Sequence, residues 1–222
     1  MIEAVIFDCD GVLVDSEVLA LEVELAILAE IGLHYEPRDF KARFMGMSNR
    51  AFFAALDQDH RRLLGRPLPD DFSEKCKARY RASWHRLAEV PGARAAIAQI
   101  AGPKAVASSS EEDALERKLR HTNLWALFAP HVYSADRVAH AKPAPDLFLC
   151  AADGLKMAPG RCLAIEDSLN GVASAHAAGM TVWGFLGGGH ADEHTGPALL
   201  AAGAERLLRN WSEIRDALGA RS

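Results

Sequence analysis

Cysteine is scarce in this chain, and its four residues (Cys9, Cys76, Cys150 and Cys162) are scattered without a C-x-x-C pair. A disulfide framework is therefore not expected, and a reducing cytoplasm is the simplest compartment. Basic residues are not in excess. The net charge is −5, so no general affinity for nucleic acid is expected, although a local cationic site is compatible with it. Glu3, Asp8 and Asp10 stand where a secretory leader would need a basic end and an apolar run, so no leader is expected. The stretch between Asp167 and Asp192 has no Asp, Glu, Lys or Arg, yet it holds six glycines with Asn170, His176 and His190. It reads as helix, strand and loop, and no membrane span is expected. There is no internal repeat and no low-complexity tract. With 50% hydrophobic and 25% charged residues over 222 positions, the chain can bury a large core as one domain or two.

What is present is organised around Ala4-Val5-Ile6-Phe7-Asp8-Cys9-Asp10-Gly11. An apolar run without alternation predicts a strand buried on both faces, as in a parallel sheet. It delivers two aspartates to the strand's C-terminal end, the edge where open α/β sheets bind ligands. Gly11 permits a sharp turn there. Carboxylates this close repel unless a cation or a shared proton relieves them, so the spacing calls for a divalent metal, a proton, or both.

From Ser16 to about Trp84 the pattern is helical. Leu19, Val23, Ile27 and Ile31 form one stripe, and Gly32 is the expected stop. A second helix follows Pro37. Met45–Asn49 is a break, with Ser48 or Asn49 capping the next helix. His60-Arg61-Arg62 reads as a solvated face. A last helix is expected from Phe72 to Ala88, and Val90-Pro91-Gly92 then punctuates the chain. Beyond it strands and helices alternate: strands at 104–107, 131–134, 162–165 and 181–185, and helices at 93–100, 111–122, 145–155 and 170–178. The expected fold is α/β, a Rossmann-like parallel-sheet core (1–15 and 87–222) interrupted after its first strand by an all-helical insertion (16–86).

Four strand ends carry chemistry. Asp8 and Asp10 suit a nucleophile and an acid/base partner. After Ala105-Val106-Ala107, Ser108 and Ser109 lead to Ser110, an expected N-cap with Asp113 in capping-box spacing; hydroxyls and free N–H groups there suit a phosphate. Pro143 disfavours a helical backbone at Lys142, which can then reach toward the sheet edge. Leu163-Ala164-Ile165 ends in Glu166 and Asp167, a second acidic pair whose oxygens suit a hard cation such as Mg²⁺, with Ser168 able to cap the next helix. Each motif alone is also ordinary turn or cap chemistry. Their common position at strand ends is what makes them one site. The Gly187-Gly188-Gly189 loop argues against a rigid His190/His194 zinc pair and leaves His190 as a candidate substrate contact. Cys9 reads as a packed spacer, and the four tryptophans read as core.

Phe7-Asp8-Cys9-Asp10-Gly11-Val12-Leu13-Val14-Asp15-Ser16-Glu17, Ser108, Lys142-Pro143-Ala144-Pro145-Asp146 and Glu166-Asp167-Ser168 resemble the four motifs of the haloacid dehalogenase-like superfamily, over nearly the whole chain. The likeness is greatest to the branch with a small helical cap, which includes β-phosphoglucomutase and many sugar-phosphate phosphatases. The resemblance implies that Asp8 becomes an aspartyl phosphate, while Asp10 protonates the leaving oxygen and then activates water. It implies Mg²⁺ on Asp8, the Asp10 backbone carbonyl and Asp167, with Glu166 assisting; Ser108 and Ser109 on the phosphoryl group; and Lys142 offsetting its charge. The neighbouring carboxylates would favour protonated Asp10, against the metal and Lys142. The cap would close over the core, with Gly46, Ser48, Asn49 and Arg50 as substrate contacts.

The expected activity is hydrolysis of a small phosphorylated metabolite, a sugar phosphate above others. A sugar-phosphate mutase is the alternative, and a non-catalytic phosphometabolite sensor the second. β-Phosphoglucomutases carry a cap histidine and a cap arginine where this chain has Ala20 and Asn49, which favours hydrolysis. Asp10 argues against a dehalogenase, and the absence of lysine before Lys41 against a phosphonate hydrolase. The oligomeric state is open, with a monomer the working expectation.

Overall fold

The computed structural model describes residues 2–44 and 49–219, apart from the side chains of Ala42, Asn49 and Arg50. The chain divides into two compact units, Met1–Glu17 with Leu87–Ser222, and Val18–Arg86. Among the described residues, no helix is long and apolar enough to cross a membrane.

The first unit is built on six parallel strands: β1 (Ala4–Phe7), β2 (Lys104–Ser108), β3 (Val132–Ser134), β4 (Cys162–Glu166), β5 (Thr181–Phe185) and β6 (Arg206–Leu208), in the spatial order β3-β2-β1-β4-β5-β6; its helices include α5 (Ala93–Gln99) before β2 and α10 (Thr195–Ala201) before β6. Successive side chains of a strand point to opposite faces, so the continuous apolar runs serve two cores. On one face Ala4, Ile6, Ala105, Ala107, Ala164 and Val182 pack with Leu147, Phe148, Ala151, Val172 and Ala175, residues of α8 (Asp146–Gly154) and α9 (Leu169–Ala177). On the other face Phe7 meets Phe128 at 5.7 Å and Trp211 at 5.6 Å, and Phe185 meets Trp211 at 5.8 Å. Burying each such ring contributes about 1.5–3 kcal/mol. The Trp211 indole N–H also donates to the Val12 carbonyl (3.0 Å), tying the last helix, α11 (Trp211–Gly219), to the turn after β1. Trp183 and Trp211 are core, as expected; Trp84 and Trp125 are only half-buried.

The second unit contains α1 (Ser16–Glu30, from Val18 on), α2 (Pro37–Phe44), α3 (Asn49–Leu64) and α4 (Phe72–Ala82). Gly32, at φ +91°, ends α1 as expected, and the Leu33 N–H returns to the Leu28 carbonyl at 2.9 Å. Phe44 packs against Tyr35, Phe40 and Phe52 at 5.5, 4.8 and 5.4 Å. Asp59 is buried and saturated, accepting from Tyr35 Oη (2.6 Å), Arg43 (2.6 and 2.9 Å) and Arg62 (3.1 Å). Two expectations are corrected here. His60 is not part of a solvated face: it is buried, with Nδ1 2.8 Å from the Arg66 carbonyl. And α4 stops at Ala82, where Ser83 bonds back to the Arg79 carbonyl and a short 3₁₀ turn, Trp84–Arg86, follows. The expected substrate contacts Gly46 and Ser48, and the side chains of Asn49 and Arg50, lie outside the described residues.

Candidate active site

Strand order sets the site. β1 lies between β2 and β4, with Phe7 level with Val106 and Ile165, so Asp8, Ser108 and Glu166 emerge side by side at one sheet edge. The Asp8 N–H continues the ladder to the Ile165 carbonyl (3.0 Å). Lys142 arrives from the segment before α8. Its ammonium donates to Asp8 Oδ1 (2.5 Å), Glu166 Oε1 (2.6 Å) and the Ala107 carbonyl (2.9 Å), one group from each of the three strand ends.

Asp8, Glu166 and Asp167 are all buried, and one ligand oxygen from each lies within 4.8 Å of the others. Three carboxylates against one ammonium leave an excess of negative charge. Burial pushes Asp8 well above the ordinary aspartate range; Lys142 opposes the shift, and Glu166, Asp167 and Asp10 add to it. Burial likewise pushes Asp167 up to about 6, with Glu166 adding to the rise and a hydrogen bond from His190 opposing it. Lys142 is desolvated too, but its two carboxylate partners outweigh that and raise its pKa.

Glu166 is the most committed of the three. Oε1 holds Lys142, while Oε2 accepts from the Asp167 N–H (3.0 Å), the Ser168 N–H (3.1 Å) and the Ser168 hydroxyl (3.0 Å). Ser168 also caps α9, accepting from the Gly171 N–H. Gly171 is there for space: a Cβ on it would run into the Glu166 carboxylate.

Asp10 has its own cation. Oδ1 accepts from the Ser16 hydroxyl and the Lys118 ammonium; Oδ2 accepts from the Ser110 hydroxyl (2.8 Å) and, at 3.5 Å, the Ser108 hydroxyl. Burial alone would raise this carboxyl, but Lys118, Ser16 and Ser110 together hold it below the ordinary range. The expectation that neighbouring carboxylates keep Asp10 protonated is thus reversed in the resting structure. Ser110 is a second correction. It does not cap α6 (Glu112–His121); Glu111 occupies the N-cap position, and the Ser110 hydroxyl is spent on Asp10. Ser109 is exposed beside it.

Sequence reading missed Lys118. A signal existed: Leu115, Lys118, Leu119 and Thr122 fall at i, i+3, i+4 and i+7, so this lysine sits on the apolar stripe of its helix, and all four are buried. Cys9, between the aspartates, is buried, and burial pushes its thiol well above the ordinary value, in keeping with a packed spacer. His190 is placed against Asp167 (Nε2 to Oδ2, 3.0 Å), whereas His194 is exposed and faces Glu193 at 3.7 Å.

The chain matches the family model for haloacid dehalogenase-like hydrolases over residues 2–179. It is 30% identical over 201 residues to 6-phosphogluconate phosphatase of Escherichia coli (strain K12), covering 88% of this chain and 86% of that protein. It is 32% identical over 213 residues to the phosphorylated carbohydrates phosphatase of Thermotoga maritima, covering 93% and 94%. A solved HAD family hydrolase from Deinococcus radiodurans R1, with bound phosphate and sodium, superposes with a TM-score of 0.87 at 36% identity, covering 99% of this chain and 96% of that one.

Proposed function

The chain belongs to the haloacid dehalogenase-like hydrolases, and from that premise we propose that it is a Mg²⁺-dependent phosphatase that hydrolyses a small sugar phosphate through an aspartyl phosphate on Asp8. It is an enzyme of the phosphoric monoester hydrolase type. One observation carries the reading. Two aspartates at one strand end are held by separate cations, Asp8 by Lys142 and Asp10 by Lys118, which suits one to attack and the other to move protons. The phosphate bound in the Deinococcus protein and the carbohydrate phosphates in the relatives' names support the substrate class.

The residues fit a hard divalent cation. The donor set is all oxygen, and burial, with neighbouring carboxylates adding to it, raises both Asp8 and Asp167, so a cation held there would replace the solvation these carboxylates have lost. Asp8, Asp167 and the Asp10 backbone carbonyl would hold Mg²⁺, with Glu166, already committed to Lys142 and the start of α9, assisting through water. When bound, the ion offsets charge on the phosphoryl oxygens.

Asp8 attacks phosphorus, the bond from phosphorus to the sugar oxygen breaks, and Asp10 gives that oxygen its proton. Asp10, now a carboxylate, takes a proton from water as the water oxygen attacks phosphorus. The bond between phosphorus and Asp8 breaks, releasing inorganic phosphate and restoring the Asp8 carboxylate. Lys118 keeps Asp10 ionised at rest, which suits the second step. For the first, the arriving phosphoryl dianion raises the proton affinity of Asp10, which takes up a proton from solvent before Asp8 attacks. Ser108 and Ser109 donate to phosphoryl oxygens.

The test is incubation with Mg²⁺ and a panel of sugar phosphates. Phosphate release supports the phosphatase. Isomerised product without release establishes the mutase, and binding without turnover establishes a sensor.

A further inference from the structure

The glycine-rich loop after β5 ends on a histidine that the proposed reaction does not use. His190 is 7% exposed, and its Nε2 lies 3.0 Å from Asp167 Oδ2. The ring is wedged between two tight backbone turns. A Cβ on Gly11, which has φ +81°, would meet His190 Cε1 at 2.6 Å and run into Asp167 Oδ2. A Cβ on Gly188 would meet the Gly11 carbonyl at 2.6 Å and His190 Cε1 and Nδ1 at 2.8 Å. The loop is anchored at both ends: the Leu186 N–H donates to the Leu208 carbonyl (2.7 Å), and the Gly189 N–H to Asp15 Oδ1 (3.3 Å). Glycine on both sides is what lets an imidazole approach Asp167 this closely.

We infer that His190 is a positioning residue for the divalent cation: its ring N–H holds one oxygen of Asp167, so that the carboxylate presents the other toward Asp8. Glu166 is oriented by Lys142, the Asp167 and Ser168 N–H groups and the Ser168 hydroxyl, and Asp8 by Lys142. His190 gives Asp167 the equivalent support. A carboxylate fixed before the cation arrives loses less side-chain freedom on binding. Partners that orient a metal ligand in this way change affinity by about 10–100-fold when removed. The inference rests on the metal reading of the site above.

The test is a titration of EDTA-stripped, full-length protein with Mg²⁺ alone, followed by calorimetry and without substrate. His190→Ala is expected to raise the Mg²⁺ dissociation constant about 10–100-fold. His190→Gln, whose side-chain amide reaches as far as the ring Nε2, restores most of the affinity. His190→Phe, which keeps a ring in the wedge but has no N–H, binds as weakly as alanine and serves as the main variant should alanine fail to fold. Equal or tighter binding by the variants that lack the donor overturns the inference and leaves the metal reading standing. Equal weakening in the glutamine and alanine variants overturns it as well. A wild-type chain that binds no Mg²⁺ overturns the metal reading and this inference together.

Discussion

Lys118, itself buried, forms an ion pair with the partly exposed Asp10, 108 positions earlier in the chain, and also donates to Ser110 Oγ (3.0 Å), whose own proton points to the other Asp10 oxygen. The ring that results fixes the plane of the carboxyl and keeps it charged. Lys118→Met is therefore expected to raise the Asp10 pKa, because burial then acts with its main opponent gone. The base form of Asp10 would be lost at a higher pH, so the acidic limb of the kcat profile moves toward neutrality. Stability falls by less than the about 3–5 kcal/mol typical of breaking a fully buried pair, because Asp10 is partly exposed and keeps the Ser16 and Ser110 hydroxyls. A pH–rate profile and a denaturant melt check both. An unmoved acidic limb would show that Lys118 does not govern Asp10.

Asp8→Asn is expected to reduce turnover by at least about 10⁴-fold while the protein stays folded, since the amide keeps the shape and loses the nucleophile. Phosphate release and a thermal melt on the same sample decide it. Activity within tenfold of wild type would remove Asp8 from the role proposed.

Metal removal gives the third expectation. Protein stripped with EDTA is inactive and recovers with Mg²⁺, whereas Ca²⁺, larger and with more oxygen ligands, restores little. The Asp167 carboxyl, held up to about 6 without metal, titrates lower once Mg²⁺ is present. Carboxyl titration by NMR with and without the ion follows this directly.

Asp59, in the inserted unit, provides a pH dependence apart from the site. Burial would raise its carboxyl, but hydrogen bonds from Tyr35, Arg43 and Arg62 win and lower it. A lowered folded-state pKa adds stability that is present above the unfolded value, about 3.9, and lost as pH falls through the folded value. Asp59→Asn should therefore cost about 1.5–3 kcal/mol near pH 7, as expected for hydrogen bonds to a charged group. The gap from wild type narrows below about pH 4. Thermal melts at pH 7 and in acid give the comparison; a gap that stays constant would mean the carboxylate charge contributes nothing.

The parallel sheet was legible because its central strands are short apolar runs, Ala4–Phe7 and Cys162–Glu166, that no other structure accommodates so simply. The grouping of Asp8, Ser108, Glu166 and Asp167 followed from their common place at strand ends; Lys142 does not share it, since β3 stops at Ser134 and the lysine reaches the site from the connection before α8. β6 was missed: its three residues include an exposed arginine, and Arg206 stacks on Trp183 at 5.4 Å, a tertiary contact without local trace. The four-residue helix α7 (Trp125–Phe128) is too short to show a period. Ser110 was misread because a serine before a helix is usually its cap. Only the distant Asp10 redirects that hydroxyl. His190 was placed at the correct edge, but its partner Asp167 depends on how two glycine turns interlock.

An ammonium group has three N–H bonds, and Lys142 has already placed all three, on Asp8, Glu166 and the Ala107 carbonyl. A phosphoryl oxygen that reaches this nitrogen cannot simply add to it; it must take the place of an existing acceptor. What the lysine contributes to holding a ligand is therefore a difference between two hydrogen bonds, and the neutral Ala107 carbonyl is the partner most easily exchanged.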